Sequence, residues 1–150
     1  MASRILVDWK DAQQKAALTA RWAVTMAKVR IRQVASRTRW QLVTFCGKAG
    51  AESGGIVDLL AIRKDHGLPT VGGRPGDALQ IILIQVKGGS AAKPTREDAA
   101  RLRIVATRHA ARDVLLATWK KGRAARFFRL RRASAREPWA EITNLDSVFR

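Results

Sequence analysis

Two short apolar segments of this chain carry polar residues of the kinds that take part in phosphoryl chemistry. The first, residues 54–62, reads GGIVDLLAI and places Asp58 inside an otherwise buried strand pattern. The second, residues 81–87, reads IILIQVK and places Gln85 and Lys87 two positions apart. Side chains two apart on a strand project from the same face of a sheet. Asp58, Gln85 and Lys87 are therefore candidates for one site at the ends of neighbouring strands.

An acid, an amide oxygen and a lysine brought together in this way fit the hydrolysis of a phosphodiester bond. That reaction needs an activated water and compensation of charge on the phosphoryl oxygens, and a bound Mg²⁺ provides both. Mg²⁺ prefers oxygen ligands and keeps several waters, so one or two carboxylates and the substrate phosphate suffice. We expect Asp58, Gln85 and the Val86 carbonyl to hold the metal and Lys87 to act as the catalytic cation. Mn²⁺ is expected to substitute for Mg²⁺.

The glycine-rich loop before Asp58 adds two further candidates. Glu52 can supply a second carboxylate, and Ser53 can hydrogen-bond a phosphate or a metal-bound water. Each candidate also has a plainer interpretation. Asp58 can cap a turn or pair with an arginine, Lys87 can be an ordinary strand-end lysine, and a polar loop needs no function. The catalytic interpretation of Lys87 depends on its pairing with Asp58.

The charge of the chain indicates a polyanionic partner. Lys and Arg total 29 against 12 Asp and Glu, which gives a formal net charge of +17. Such a field favours DNA or RNA, although a GC-rich genome also produces arginine together with abundant alanine. Candidate DNA contacts lie in sequence beside the motif segments or form a basic turn: Lys48, Arg63, Lys64, Lys93, Arg96, Lys120, Lys121 and Arg123.

Other classes of partner are not indicated. No apolar run approaches the roughly 18 residues of a membrane span. The first ten residues lack a signal-peptide pattern, and the single cysteine, Cys46, cannot form an internal disulfide. Neither GxGxxG nor a Walker motif is present, so no nucleotide cofactor is expected. These features predict a soluble, cytoplasmic protein without a membrane partner.

The elements that must position the candidates form one α/β domain over residues 1–150. Its predicted parts are a long N-terminal helix, a core over residues 40–131 and a C-terminal tail over residues 132–150 that holds a short strand and a turn of helix. Within the core, the third strand has an apolar run typical of burial on both faces. The predicted order is α-β-β-β-α-β-β. The helices are expected at about 11–37 and 95–109, and a capping box from Thr95 to Asp98 begins the second one. The strands are expected at about 40–46, 56–63, 78–87, 114–119 and 126–130.

A polar, mainly basic stripe runs at helical spacing along the first predicted helix. It is either a solvated face or a helix laid along phosphates, and the sequence leaves both open. The stripe comprises Lys10, Gln14, Arg21, Thr25, Lys28, Arg32 and Arg39. The five tryptophans are scattered along the chain, and we expect most of them to lie in the core.

The two motif segments resemble the PD-(D/E)XK nuclease superfamily, which has the restriction-endonuclease-like fold, and within it the archaeal and phage Holliday junction resolvases. The segments that carry the resemblance read ESGGIVDLLAI at 52–62 and IQVKGG at 84–89. The helix from Thr95 and the strand Val114 to Trp119 match the element order, so the resemblance covers about residues 40–130. It implies a central mixed sheet, dependence on a divalent metal and a homodimer that cuts symmetric strands of a four-way junction.

Three residues depart from the family pattern. Val57 stands where the family has Pro, Gln85 stands where it usually has Asp or Glu, and the first helix lacks the glutamate that the resolvases carry there, a role that Glu52 could take. The expected function is a Mg²⁺-dependent, structure-selective DNA endonuclease of the resolvase type. The alternatives are a restriction or repair nuclease that cuts ordinary duplex, a non-cleaving DNA-binding protein on the same fold, and a basic scaffold protein.

Overall fold

The chain forms a mixed β-sheet with a helix on each face. The structure is a computed structural model that describes residues 2–45, 47, 54–67, 72–91 and 93–150, with side chains described from Asp8 onward. The elements are α1 (Ala2–Ala35), β1 (Gln41–Thr44), β2 (Leu59–Asp65), β3 (Ala78–Gly88), α2 (Arg96–Arg108), β4 (Asp113–Trp119), β5 (Arg126–Leu130) and β6 (Trp139–Ile142), with short 3-10 turns at Ser36–Thr38 and Leu145–Ser147. The predicted α/β order is confirmed, and the tail contains the expected strand and turn. None of the helices that the structure describes could span a membrane.

The first helix is longer than predicted. It begins at Ala2 and not near residue 11, and it ends at Ala35. Residues 2–10 contain neither Gly nor Pro, so nothing in their sequence stops the helix from continuing toward the start of the chain. The second helix begins as expected, because the Thr95 hydroxyl accepts from the Asp98 N–H and the Asp98 carboxylate accepts from the Thr95 N–H.

The six strands lie in sequence order in one sheet. Every neighbouring pair is antiparallel except β3 and β4, which are parallel. This exception has a simple cause, since a parallel neighbour needs a crossover connection and α2 supplies it. The β2–β3 hairpin is in register from Leu59 opposite Ile84 to Asp65 opposite Ala78.

Strand β3 is covered on both faces, as its apolar run predicts. Ile84 packs in a cluster under α1 with Ile31 and Leu115, whereas Leu83 packs on the opposite face with Leu102 of α2. Burying each such side chain contributes about 1.5–3 kcal/mol relative to leaving it in water. The polar residues of β3 therefore lie in a strand that is packed on both faces, which limits their movement.

Helix α1 rests directly on the end of β3. A Cβ atom at Gly88 would lie only 2.8 Å from the Cβ of Ala23 and 3.0 Å from the carbonyl oxygen of Thr19. Only a residue without a side chain permits this approach. On the N-terminal side of the contact, residues 8–18 of α1 are all exposed.

The tail closes the face of the sheet that α1 covers. The ring of Phe149 meets that of Trp40 edge to face at 5.7 Å, and both are buried. The Phe149 carbonyl accepts from the Trp40 Nε1–H at 2.9 Å and from the Thr38 hydroxyl. Trp40 thus lies in the core as expected, but Trp9 and Trp22 are each 57% exposed, so the expectation of burial is wrong for those two.

Candidate active site

Asp58 was predicted to lie inside the second strand, but that strand begins at Leu59 and not at residue 56, so Asp58 lies one residue before β2. It is fixed by its main chain and its side chain together. Its N–H donates to the Ile84 carbonyl at 3.0 Å, and its own carbonyl accepts from the Phe45 N–H at 3.1 Å. Its Oδ2 accepts from the N–H of Val86 at 2.6 Å. The carboxylate is therefore held at the peptide that joins Gln85 to Val86. The structure places Asp58 beside the Gln85–Lys87 segment, as the two motifs predict.

Gln85 is a buried polar residue, only 5% exposed. Its Oε1 finds no hydrogen-bond donor in the described part of the chain. An unsatisfied buried acceptor costs about 1–3 kcal/mol, so such an atom needs an explanation. A cation beside it would satisfy the oxygen. The neighbouring Asp58 carboxylate gives that position a negative charge, so the two oxygens fit the ligand preference of Mg²⁺.

Lys87 lies on the same face of β3 as Gln85 and is half-buried. Its charge reaches the first turn of α2. The pKa of Asp98 is lowered, chiefly by the hydrogen bond from the Thr95 backbone N–H and to a lesser extent by the charge of Lys87. The charge of Lys87 thus acts on Asp98, a residue that the sequence reveals only as a helix cap. Its position at the start of the helix that follows the motif strand was the available signal.

Part of the candidate site lies outside the described residues. Glu52, Ser53 and Lys48 all fall there, and their roles stay predictions. Among the residues that are described, no three His, Cys, Asp or Glu side chains come together as a ready metal cluster. The described donors at the site are the Asp58 carboxylate and the Gln85 amide oxygen, and the role of the Val86 carbonyl as a metal ligand stays a prediction.

The basic turn after β4 lies at the same end of the sheet as Lys87. Because β3 and β4 are parallel, their carboxyl ends coincide, with Gly88 opposite Trp119. The Gly89 N–H also donates to the Trp119 carbonyl at 2.8 Å. Three exposed cations follow directly in the turn between β4 and β5: Lys120, Lys121 and Arg123.

Two other candidate DNA contacts lie near α2. The Nζ of Lys93 is 5.0 Å from the centre of the Phe128 ring. A guanidinium nitrogen of Arg96 donates to the Arg136 carbonyl at 3.0 Å. Both side chains are nevertheless solvent-exposed. Their contact with DNA stays a prediction.

Arg63 and Lys64 lie at the opposite end of the sheet. Lys64 is opposite Leu79, eight residues before Lys87 on β3, which corresponds to about 26 Å along a strand. The Arg63 guanidinium donates to the Gln80 Oε1 at 2.8 Å and to the Arg150 carbonyl at 2.7 Å. Nearness in sequence to Asp58 therefore does not place these two residues beside it, and the contacts of Arg63 hold the tail.

Comparison with known proteins gives a similarity of fold. No family model matches the chain, and no curated protein matches it. Among solved structures, the chain is similar to Hjc, a Holliday junction resolvase from the archaeal hyperthermophile Archaeoglobus fulgidus, with 14% sequence identity and a TM-score of 0.42. The similarity covers 83% of this chain and 92% of that chain.

Proposed function

We propose that this chain is a Mg²⁺-dependent DNA endonuclease that hydrolyses phosphodiester bonds at four-way junctions. The proposal is carried by one observation: the Asp58 carboxylate is held at the Gln85–Val86 peptide, next to a buried amide oxygen that has no donor in the described residues. Lys87 projects from the same face of the same strand. Two oxygen donors and an ammonium group then share one end of the sheet.

Each residue has a distinct part in this proposal. When bound, Mg²⁺ would supply an activated water and neutralise charge on the phosphoryl oxygens. Asp58 is already fixed by the Val86 N–H, so it would not need to reorganise when the substrate arrives. Gln85 would add an oxygen ligand without a negative charge, so more of the positive charge of the metal would be neutralised by the substrate phosphate. The Lys87 ammonium would orient the attacking water or stabilise the developing negative charge.

The choice of a junction as substrate rests on the resemblance of the two motif segments to the resolvases, which implies a homodimer, and charge and symmetry are compatible with it. The net charge of +17 provides phosphate affinity that does not depend on sequence. A two-fold homodimer would present two equivalent sites to the symmetric strands of a junction. Such an enzyme would act in the cytoplasm of a prokaryotic or phage-infected cell.

The test compares cutting of a labelled four-way junction with cutting of a matched linear duplex, in Mg²⁺ and in EDTA. We expect paired nicks near the branch point, only with metal, and at least a 100-fold loss (a loss on the order of 2.7 kcal/mol) in Asp58→Asn. Asp65→Asn is the matched control, because Asp65 lies at the far end of β2, the strand that follows Asp58, and this variant should cut normally. Lys87→Gln and Lys64→Gln form the corresponding lysine pair.

Two results would redirect the proposal. Equal cutting of junction and duplex would indicate a restriction or repair nuclease. If the Asp58→Asn variant still cuts DNA, Asp58 does not belong to the catalytic site.

The neutral Gln85 also favours a second candidate, a DNA-binding protein whose metal site has lost a charge. This protein would bind the junction without cutting it at any Mg²⁺ or Mn²⁺ concentration. Gln85→Glu restores the carboxylate of the family pattern, so it should then produce metal-dependent nicks. If the wild type cuts, the second candidate is excluded.

A further inference from the structure

The basic stripe of α1 is accessible along its whole length. Lys10, Arg21 and Arg32 are exposed, and Lys28 is half-buried. The uncharged members Gln14 and Thr25 are exposed as well. From Lys10 to Arg32 the stripe spans about 33 Å, at 1.5 Å per residue. About ten phosphates of one DNA strand occupy the same length, at roughly 3.4 Å each.

Charge on α1 is unevenly distributed between its faces. The stripe was predicted to include Arg39, but that residue lies beyond the end of α1 at Ala35, so the part of the stripe on the helix contains four cations and no acid. The two acids of the helix, Asp8 and Asp11, lie on the adjoining face. Lys15, four residues after Asp11, lies on that face too. The two signs of charge are not fully separated, because Lys15 shares the face of both acids and Arg30 also lies outside the stripe. The stripe itself carries no acid, so it presents positive charge along its length.

The N-terminal half of α1 extends past the carboxyl end of β3, on the face of the sheet opposite to that of Gln85 and Lys87. The helix contacts Gly88 and Gly89 through Thr19 and Ala23, directly after Lys87. Lys10 lies nine residues before Thr19, so this part of the helix reaches about 14 Å beyond the contact. Residues 8–18 are exposed on every side, and a helical segment without packing is only marginally stable in water. A binding partner that covers this segment would stabilise it.

We propose that the stripe of α1 is a second DNA contact, which lies along the phosphate backbone of a duplex arm of the DNA that binds at the Asp58 site. The inference deepens the proposed function and rests on it for the identity of the substrate. Charge complementarity selects the partner, because a row of cations fits a row of phosphates. Two copies of the chain could not cover their stripes with one another, because like charges would face each other.

The exposed apolar side chains of α1 favour a different binding partner, and the experiment must distinguish this partner from DNA. Leu18, Trp22 and Val29 are exposed on the face next to the stripe. A second copy could cover this face. If that copy also covered the stripe, removing stripe charges would change self-association and leave DNA affinity unaltered.

The experiment measures affinity for a labelled four-way junction as a function of salt, in EDTA so that no strand is cut. The stripe variant is the triple substitution Lys10→Gln, Arg21→Gln and Arg32→Gln. The control variant removes the same charge from exposed residues outside the stripe, by Lys15→Gln, Arg30→Gln and Arg108→Gln. None of the six residues belongs to the Asp58 site.

Each lost phosphate contact should reduce the slope of log affinity against log salt by about 0.9. We expect a wild-type slope steeper than about −4, a stripe variant that loses roughly 2.7 of it, and a control variant that loses less than about 1. Equal losses in the two variants would show that only net charge matters and would overturn the inference. An unchanged slope, or a monomer–dimer equilibrium altered by the stripe variant alone, would overturn it as well.

Cleavage in Mg²⁺, assayed in parallel, separates this inference from the proposed function. If the wild type cuts but the stripe variant keeps the full slope, the DNA contact of α1 is refuted and the endonuclease stands. If the wild type does not cut but the slope depends on the stripe, the endonuclease is refuted and the DNA contact stands.

Crosslinking locates the contact on the DNA. A photoreactive group placed by Gln14→Cys, with Cys46 replaced by Ser, should react with the backbone, whereas the same group at Asp11→Cys should react much less. Gln14 lies nine residues from Ala23, so the adduct should fall within about 14 Å, or about four nucleotides, of the DNA next to Gly88. Equal yields from the two positions would contradict the proposed orientation of the helix.

Discussion

Replacing Gln85 by Met is expected to stabilise the metal-free protein. The Gln85 Oε1 is buried without a donor in the described residues, and relief of such an atom contributes about 1–3 kcal/mol. Met has a similar length and fills an apolar site without strain. For a chain of this size each kcal/mol corresponds to roughly 2–4 °C in Tm. A substitution inside a candidate active site should therefore raise the Tm.

The metal should reverse this order of stability. If Mg²⁺ binds the folded wild type, it adds about 2.7 kcal/mol at one hundred times its Kd, and Gln85→Met should lose most of that increment. The assay is urea unfolding followed by tryptophan fluorescence, in EDTA and over a series of Mg²⁺ concentrations. The variant should be the more stable protein in EDTA and the less responsive one in Mg²⁺.

Gln80 provides a matched control on the same strand. Its Oε1 accepts from Arg63 at 2.8 Å and from Arg112 at 3.3 Å, so Gln80→Met should destabilise the protein by about 1.5–3 kcal/mol, whether or not Mg²⁺ is present. If Gln85→Met destabilises the metal-free protein as Gln80→Met does, the oxygen of Gln85 is bonded within the fold. The argument for a cation at that position would then be lost.

Three further predictions concern the elements around the site. Gly88→Ala should cost about 1–3 kcal/mol in urea unfolding, because its Cβ would overlap Ala23, and Ala23→Gly should recover part of the loss; additive effects would contradict the contact. Thr95→Ala should cost about 1 kcal/mol by removing a helix cap, and a change below about 0.3 kcal/mol would refute that role. Burial raises the pKa of Asp113, so the folded state binds this proton more tightly than the unfolded state does. The contribution of Asp113 to the free energy of unfolding should therefore fall as pH rises above the ordinary value of 3.8, and in Asp113→Asn this fall should disappear. Identical pH profiles of the wild type and the variant would refute the prediction.

The sequence predicts the centre of the candidate site because the signals there are local. An apolar run interrupted by Asp58, and another ending in Gln85 and Lys87, define two strands, and a hairpin between them brings the polar residues together. The cap at Thr95 is equally local, since both of its hydrogen bonds join residues three apart. The closeness of Asp58 to the Gln85–Lys87 segment and the helix cap were predicted correctly, whereas the start of the second strand was not, since Asp58 precedes it.

The features that were missed depend on where elements end in space. Trp22 has the same residue type as Trp40, but it lies on a face of α1 that nothing in the described structure covers. Arg63 follows Asp58 closely in sequence, but an extended strand carries it to the far end of the sheet. The burial of Trp22 and the distance of Arg63 from Asp58 depend on how distant parts of the chain pack. A local sequence pattern does not contain this information.

The hydrogen bond between Trp40 and Phe149 joins residues 109 positions apart. Closing a loop of that length costs about 4 kcal/mol of chain entropy, so the contact should form late, after the hairpins and α2. During synthesis, a chain that has not yet reached Val148 and Phe149 lacks two buried side chains of the cluster beneath α1. The core on that face is therefore completed only after translation has passed residue 149, and shorter nascent chains should depend on chaperones or the ribosome surface to keep it covered.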